Sequence, residues 1–279
     1  MNDPRSRTLI TVDELVGLLD ARGPVVLLDV IDEQGAAPEG RPKIPGASSV
    51  HLATDFSGKP TPGSGKRPLP DIRELESKVR SWGISRDTPV VVYDNSAGAQ
   101  ASRAWWTLQW AGLGNVRVLD GGFQAWTVAN LPQSNHIATR SGLAGDAVLT
   151  SGCMPTIDAD EAANLAKDSR LLDARARAAY VGDPGQSGTG HIPGAIHAAS
   201  GDNIADGKFR PSEDLRARFA RLGVDGSRNV GVYCGSGNAA AYEIAAMHAV
   251  GIEAALYVGS WSAWSADPSR PVATGPAPG

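Results

Sequence analysis

The chemistry in this chain of 279 residues concentrates on one short segment, Cys234-Gly235-Ser236-Gly237-Asn238-Ala239. Gly235 and Gly237 permit tight backbone curvature and let several N–H groups turn inward, as an anion-holding loop requires. The Ala-rich stretch Ala239 to Val250 reads as a helix closed by Gly251, and its positive N-terminal end adds to the same field. Thiols in such surroundings have pKa values of roughly 3.5–7.5 instead of about 8.5. Each unit of lowering is worth about 1.4 kcal/mol of preference for the anion. A cysteine of this kind attacks without a neighbouring general base. The same cradle would hold a persulfide anion, with Ser236 able to donate its hydroxyl to that anion or to the departing group. For an isolated cysteine the commoner fate is a buried small hydrophobe in a turn. A strand, a glycine-rich loop and a helix around Cys234 favour the nucleophile.

The elements that must position this loop are legible on both sides of it. Val230 to Tyr233 is a short apolar strand ending at Cys234, and in open α/β sheets ligands bind at the carboxyl ends of strands. Upstream, Thr156-Ile157 precedes Asp158, an N-cap for a helix through Glu161, Leu165 and Ala166. Arg170-Leu171-Leu172 is a buried strand ending at Asp173. Glu213 to Leu222 carries Leu215, Phe219 and Leu222 at helical spacing and is closed by Gly223. Ala255 to Val258 is a further strand, followed by Trp261 and Trp264. Strands alternating with helices predict a parallel sheet covered on both faces.

The chain also repeats itself. Val25-Val26-Leu27-Leu28-Asp29-Val30 returns as Arg170-Leu171-Leu172-Asp173-Ala174-Arg175, and Lys43-Ile44-Pro45-Gly46-Ala47 as His191-Ile192-Pro193-Gly194-Ala195. Trp82-Gly83-Ile84 returns as Leu222-Gly223-Val224, and Val91-Val92-Tyr93-Asp94 as Gly231-Val232-Tyr233-Cys234. Gly121-Gly122-Phe123-Gln124-Ala125-Trp126 returns as Gly259-Ser260-Trp261-Ser262-Ala263-Trp264. The landmarks keep their order at separations of roughly 140 residues, which points to duplication of one domain. The expected organisation is a first domain over 1–134, a Ser/Gly/Thr/Ala-rich linker over 135–152 and a second domain over 153–279. Asp94 occupies the cysteine's place in the first copy, which therefore lacks the thiol. Trp105 and Trp106 beside that loop read as core.

Composition narrows the function. A net charge of −4 with 20% charged residues advertises no surface for nucleic acid. No stretch approaches the roughly 18 apolar residues of a membrane span, and Met1 to Thr11 lacks the apolar core of a signal peptide. Two cysteines far apart, without an export signal, read as reduced thiols in a cytoplasm. Cys153 stands at the linker edge and reads as incidental. His191 and His197 have no cysteine or carboxylate pattern around them, so no metal site is expected. Gly121-Gly122 lacks the third glycine of a dinucleotide fingerprint. A Cys-based phosphatase would need an arginine where Ala240 stands.

The duplicated domain, the Asp29 and Asp173 strand ends, the two Ile-Pro-Gly-Ala turns and Cys-Gly-Ser-Gly after a tyrosine resemble the tandem rhodanese family. That family comprises thiosulfate and 3-mercaptopyruvate sulfurtransferases. The resemblance implies two flavodoxin-like α/β domains, the first without the catalytic cysteine and the second with it. It implies sulfur transfer from thiosulfate or 3-mercaptopyruvate to cyanide or a thiol, through a persulfide on Cys234. No organic cofactor or metal is called for, and a thioredoxin-like protein is a candidate partner for a chain expected to be monomeric. The neutral Cys-Gly-Ser-Gly is similar to the mercaptopyruvate branch, since the thiosulfate branch usually carries Arg and Lys straight after the cysteine.

Several positions depart from the family pattern. Ala179 stands where an arginine often binds the anionic substrate, and Asp183 to Gly190 contains no second arginine. Lys43 stands where the mercaptopyruvate branch tends to have His, and Asn238-Ala239 replace Val and Thr. The remaining candidates for substrate binding are Arg175, Arg177 and His191. Arg175 beside Asp173 also suits a structural ion pair, and His191 in a Pro-Gly turn suits hydrogen bonding to backbone. Loss of an arginine fork removes about 1.5–3 kcal/mol of charge-assisted recognition. The rival reading is therefore a relay or binding protein that carries persulfide sulfur and uses small donors poorly.

Overall fold

The computed structural model describes residues 3–32, 40–135, 144–168, 170–186 and 188–279, so residues 136–143 of the expected linker lie outside the described residues. The chain forms two compact units. One comprises Met1–Gly58, Leu69–Met154 and Asp206–Phe209; the other comprises Lys59–Pro68, Pro155–Ala205 and Arg210–Gly279.

In the first unit the strands are β1 (Leu9–Ile10), β2 (Val26–Ile31), β3 (Ser48–His51), β4 (Val90–Tyr93) and β5 (Val116–Leu119). They form one parallel sheet in the order β1-β5-β4-β2-β3. Its helices are α1 (Pro4–Thr8), α2 (Val12–Asp20), α3 (Leu52–Asp55), α4 (Ile72–Ser81), α5 (Ala101–Trp110) and α6 (Gly122–Val128). The chain begins α2 where it does because Thr11 and Glu14 form a reciprocal capping box. Trp105 and Trp106 on α5 are fully buried, as core residues should be.

The second unit repeats the plan. The strands of its five-stranded sheet are β6 (Thr156–Ile157), β7 (Leu171–Asp173), β8 (Ile196–His197), β9 (Gly231–Tyr233) and β10 (Ala255–Tyr257). They pair in parallel in the order β6-β10-β9-β7-β8, the first unit's order shifted by five. The helices are α7 (Ala159–Lys167), α8 (Arg177–Val181), α9 (Ser212–Arg221), α10 (Asn238–His248) and α11 (Ser260–Trp264). Asp158 caps α7 in a second capping box with Glu161. A doubly wound parallel sheet brings the carboxyl ends of β7 and β9 side by side, with Asp173 in register with Tyr233.

The duplication extends to hydrogen bonds. Tyr93 Oη accepts from the Ile44 N–H and Tyr233 Oη from the Ile192 N–H, both at 3.1 Å, so each Ile-Pro-Gly-Ala turn is fastened to the tyrosine before Asp94 or Cys234. The Trp126 indole donates to Pro132 O, and the Trp264 indole to Pro271 O.

Helix α10 is built from the best helix formers, and its small alanines let it lie against the sheet. One charge is buried within it. Glu243 accepts from Arg218 Nη1 at 2.7 Å and from Asn203 Nδ2 at 2.6 Å and has no exposure, tying α10 to α9 and to the 3-10 turn Ser200–Asn203. Burial pushes the Glu243 carboxyl up from its ordinary value, and the charge of Arg218 opposes that shift. Arg218→Leu strands the carboxylate and is expected to lower stability by about 3 kcal/mol in urea unfolding, whereas Arg218→Leu with Glu243→Leu recovers much of it.

Lys59–Pro68 sits apart from the rest of its copy. The sequence reading places 1–134 wholly in the first domain, yet this segment clusters with the second unit. Its residues, Lys-Pro-Thr-Pro-Gly-Ser-Gly-Lys-Arg-Pro, offer no apolar side chain to either core beyond the prolines. Main-chain contacts fix its place: the Lys66 N–H donates to Ser262 Oγ at 2.9 Å.

Candidate active site

Strand β9 ends at Tyr233, and Cys234 follows with 2% of its surface exposed. The chain then turns through Gly235, Ser236 and Gly237 into α10. Gly237 is the N-cap residue with φ 94°, a left-handed conformation that suits glycine, and its N–H donates to Cys234 Sγ at 3.0 Å. The carbonyls of Cys234 and Gly235 face the other way, accepting from the N–H groups of Trp261 at 2.8 Å and Ser262 at 3.0 Å. Holding those carbonyls on α11 leaves the inner side of the turn to N–H donors, the polarity an anionic sulfur needs.

Ser260 completes the support, and sequence reasoning missed it. Fully buried, with φ 52°, it accepts from the Cys234 N–H at 3.3 Å and donates to Tyr257 O at 2.8 Å. The matching residue of the first copy is Gly122, φ 58°, where an added Cβ would lie 2.5 Å from Asp94 O. The second copy therefore places a side chain in a backbone conformation that the first reserves for glycine. Ser260→Ala is expected to cost about 1–3 kcal/mol, because it strands the Cys234 N–H, and to slow alkylation of Cys234. Ser260→Gly relieves the left-handed strain and should lose less stability in the same urea titration.

The substrate-binding candidates separate. Arg175 is bound by Nε and Nη2 to the Asp173 carboxylate at 2.5–3.1 Å and by Nη2 to Gly190 O at 2.7 Å. Its guanidinium lies 4.6 Å from the Trp261 ring centre and 5.6 Å from that of Tyr233. It braces the ends of β7 and β9. His191 has no exposure, and its two ring nitrogens lie 2.8 Å from Tyr180 O and 3.1 Å from Pro278 O. The ring also stacks on Tyr180 with centroids 3.9 Å apart. This geometry gives His191 to the backbone around it, not to a ligand, because both nitrogens are already engaged. Arg177 is exposed at the start of α8. Burial, then the charge of Asp173, push the Tyr233 phenol well above its ordinary value, so it stays a neutral partner to the Ile192 N–H.

A cavity of about 420 Å³ opens beside this brace, with Arg175, Ala179, Asp183, Gln186, Thr189 and Trp261 among its walls. Ala179 contributes only a methyl group to its wall. Cys153, in contrast, is exposed on the first unit, its thiol 3.5 Å from Thr150 O. Among the described residues no group of three or more His, Cys, Asp or Glu is arranged to hold a metal ion, and no helix is long and apolar enough to cross a membrane.

The first copy shows what its own loop holds. Asp94 is 1% exposed, and its carboxylate accepts from the N–H groups of Ser96 at 2.7 Å, Gly98 at 2.9 Å, Gln100 at 2.6 Å and Ala101 at 2.8 Å. The anion cradle is intact there and filled by a side chain of the chain itself.

The model of the rhodanese-like domain matches this sequence twice, over residues 11–129 and 158–267. The chain belongs to the rhodanese-like family. Among its relatives is a Mycobacterium tuberculosis protein named "Putative thiosulfate sulfurtransferase SseB", 42% identical over 288 residues that cover 98% of this chain and 99% of that protein. A Pseudomonas aeruginosa protein named "Probable 3-mercaptopyruvate sulfurtransferase" is 42% identical over 244 residues, covering 83% of this chain and 84% of that one. Among solved structures, the 3-mercaptopyruvate sulfurtransferase of Leishmania major superposes with a TM-score of 0.76 at 25% identity, covering 92% of this rhodanese-like chain and 73% of its own. The crystal structure of YnjE gives a TM-score of 0.84 at 24% identity over 99% of this chain and 70% of that one, a likeness of fold.

Proposed function

We propose that this chain is a sulfurtransferase that moves sulfane sulfur from thiosulfate or 3-mercaptopyruvate to cyanide or a thiol, with Cys234 as the carrier. The observation that carries the reading is the hydrogen bond from the Gly237 N–H to Cys234 Sγ in a turn whose first two carbonyls are held away on α11. Relatives named for each of the two donors, at equal identity, support sulfur transfer and leave both donors in play.

The chemistry proceeds in two displacements. The Cys234 thiolate attacks the donor's outer sulfur, forming an S–S bond. From thiosulfate, the donor S–S bond breaks and its electron pair leaves with sulfite. From 3-mercaptopyruvate, the C–S bond breaks, its pair passes to the carbon as an enolate, and a proton completes pyruvate. The persulfide anion then rests against Gly237 N–H and the N-terminal end of α10. Cyanide or a thiolate attacks its outer sulfur, and Cys234 departs as the thiolate that began the cycle.

Incubation with thiosulfate or 3-mercaptopyruvate, followed by intact mass and cyanide-dependent thiocyanate release, tests this. A gain of one sulfur atom on Cys234 with turnover is the expected result. A thiol that stays alkylatable while gaining no sulfur from either compound would transfer the protein to the second reading, a relay that receives persulfide sulfur from a partner such as a thioredoxin-like protein. The cavity at Ala179, where the guanidinium of Arg175 is already held by Asp173, is the feature that favours that alternative.

A further inference from the structure

We infer that the arm Lys59–Pro68 is the anion-recognition element of the Cys234 site, with Lys66 and Arg67 supplying the positive charge that the loop lacks and that Arg175, held by Asp173, does not offer. The inference rests on the sulfurtransferase reading for its substrate class, small anionic sulfur donors carrying a carboxylate or sulfonate.

The argument begins with charge. Residues 57–70, Ser-Gly-Lys-Pro-Thr-Pro-Gly-Ser-Gly-Lys-Arg-Pro-Leu-Pro, hold three basic residues and no acidic one in a protein of net charge −4. The cysteine loop 234–239 carries no charged side chain at all. In the neighbouring cavity Arg175 is committed to Asp173, Ala179 has no charge, and Asp183 is negative. An anionic donor approaching Cys234 therefore meets its cations elsewhere.

The docking of the arm says where. Gly65 has φ +77°, and a Cβ added there would lie 2.4 Å from Gly259 O and 2.9 Å from Ser262 Oγ, so the arm's backbone is pressed onto the turn into α11. The next residue fastens it: the Lys66 N–H donates to Ser262 Oγ at 2.9 Å, and the Ser262 N–H donates to Gly235 O at 3.0 Å. Two hydrogen bonds in series, through one serine, join the arm to the residue that follows the nucleophile. Lys66 is exposed and Arg67 half-buried. Pro60, Pro62 and Pro68 restrict the free arm and reduce the entropy lost on holding it there. Trp261 lines the cavity and Ser262 holds the arm, so consecutive residues of α11 touch both.

Alkylation of Cys234 tests the arm without assuming any sulfur transfer. In a Cys153→Ser background, the rates of reaction with anionic iodoacetate and neutral iodoacetamide are compared. Lys66→Ala/Arg67→Ala is expected to lower the iodoacetate-to-iodoacetamide ratio by about tenfold while the iodoacetamide rate holds. Gly65→Ala, which forces the arm off its seat, should lower the ratio similarly. Should that variant fold poorly, the double variant on the arm's polar face carries the test. In turnover, KM for thiosulfate and for 3-mercaptopyruvate should each rise by about tenfold with little change in kcat, and the donor with the larger rise is the one the arm selects. An unchanged ratio in the double variant, or a fall produced by Arg177→Ala instead, overturns the inference. A fallen ratio in a protein that takes sulfur from neither donor sustains the arm's role and removes the sulfurtransferase reading instead.

Discussion

Cys234→Ser is expected to leave the protein without added sulfur from either donor and to reduce thiocyanate release by at least about a thousandfold, while Cys153→Ser is expected to change neither. The contrast follows from where the two thiols lie. Cys234 sits at the carboxyl end of β9, accepts the Gly237 N–H and heads the turn into α10. Cys153 is exposed in the first unit, and the hydrogen bond recorded for its thiol is to the Thr150 carbonyl. A serine at 234 would keep the turn, because its oxygen accepts the same N–H, but an alkoxide is far harder to form than a thiolate and an oxygen cannot hold a sulfane sulfur through an S–S bond. Intact mass after donor treatment checks both variants. Sulfur retained on the serine variant and lost from the Cys153 variant would reverse the assignment.

Much of this site is legible in the sequence because the duplication prints the positioning residues twice. Tyr93 and Tyr233, the two Ile-Pro-Gly-Ala turns and the strand-end aspartates keep their spacing, and the structure joins them by the same hydrogen bonds in both units. The Asp158 cap and the helices after Pro211 and Gly237 lie within one or two residues of where periodicity and capping put them. What the sequence hides is long-range and set by backbone. Ser260 appears only as a swap of glycine for serine, and nothing local reveals that its hydroxyl reaches the Cys234 N–H across 26 positions. The arm has no periodicity and no apolar face, so it reads as loop, and its place is decided by Gly65 and one N–H. His191 shows the converse. Its turn is recognisable, but only the fold shows both ring nitrogens against carbonyls.

Asp94 reads in the sequence as a loss, a nucleophile replaced by a carboxylate, and the structure assigns that carboxylate a task. Four N–H groups converge on a side chain that is 1% exposed. A hydrogen bond to a charged acceptor contributes about 1.5–3 kcal/mol, and donors left without an acceptor in a buried place cost about as much. Asp94→Ala is therefore expected to destabilise the protein by about 5 kcal/mol, less than the sum of the four because water or a solvent anion can enter the vacated space. Asp94→Asn keeps the shape but turns an NH2 group toward donors, so its cost should be smaller, about 3 kcal/mol. Urea titrations with an unchanged slope would place the loss in stability and not in a changed unfolded state. Added sulfate or phosphate should restore part of the loss in Asp94→Ala and none in the parent, since only the alanine variant leaves the cradle without its own anion. If Asp94→Ala unfolds at the parent's urea midpoint, the carboxylate is not what holds this loop, and the cradle in the first copy is a relic without structural weight.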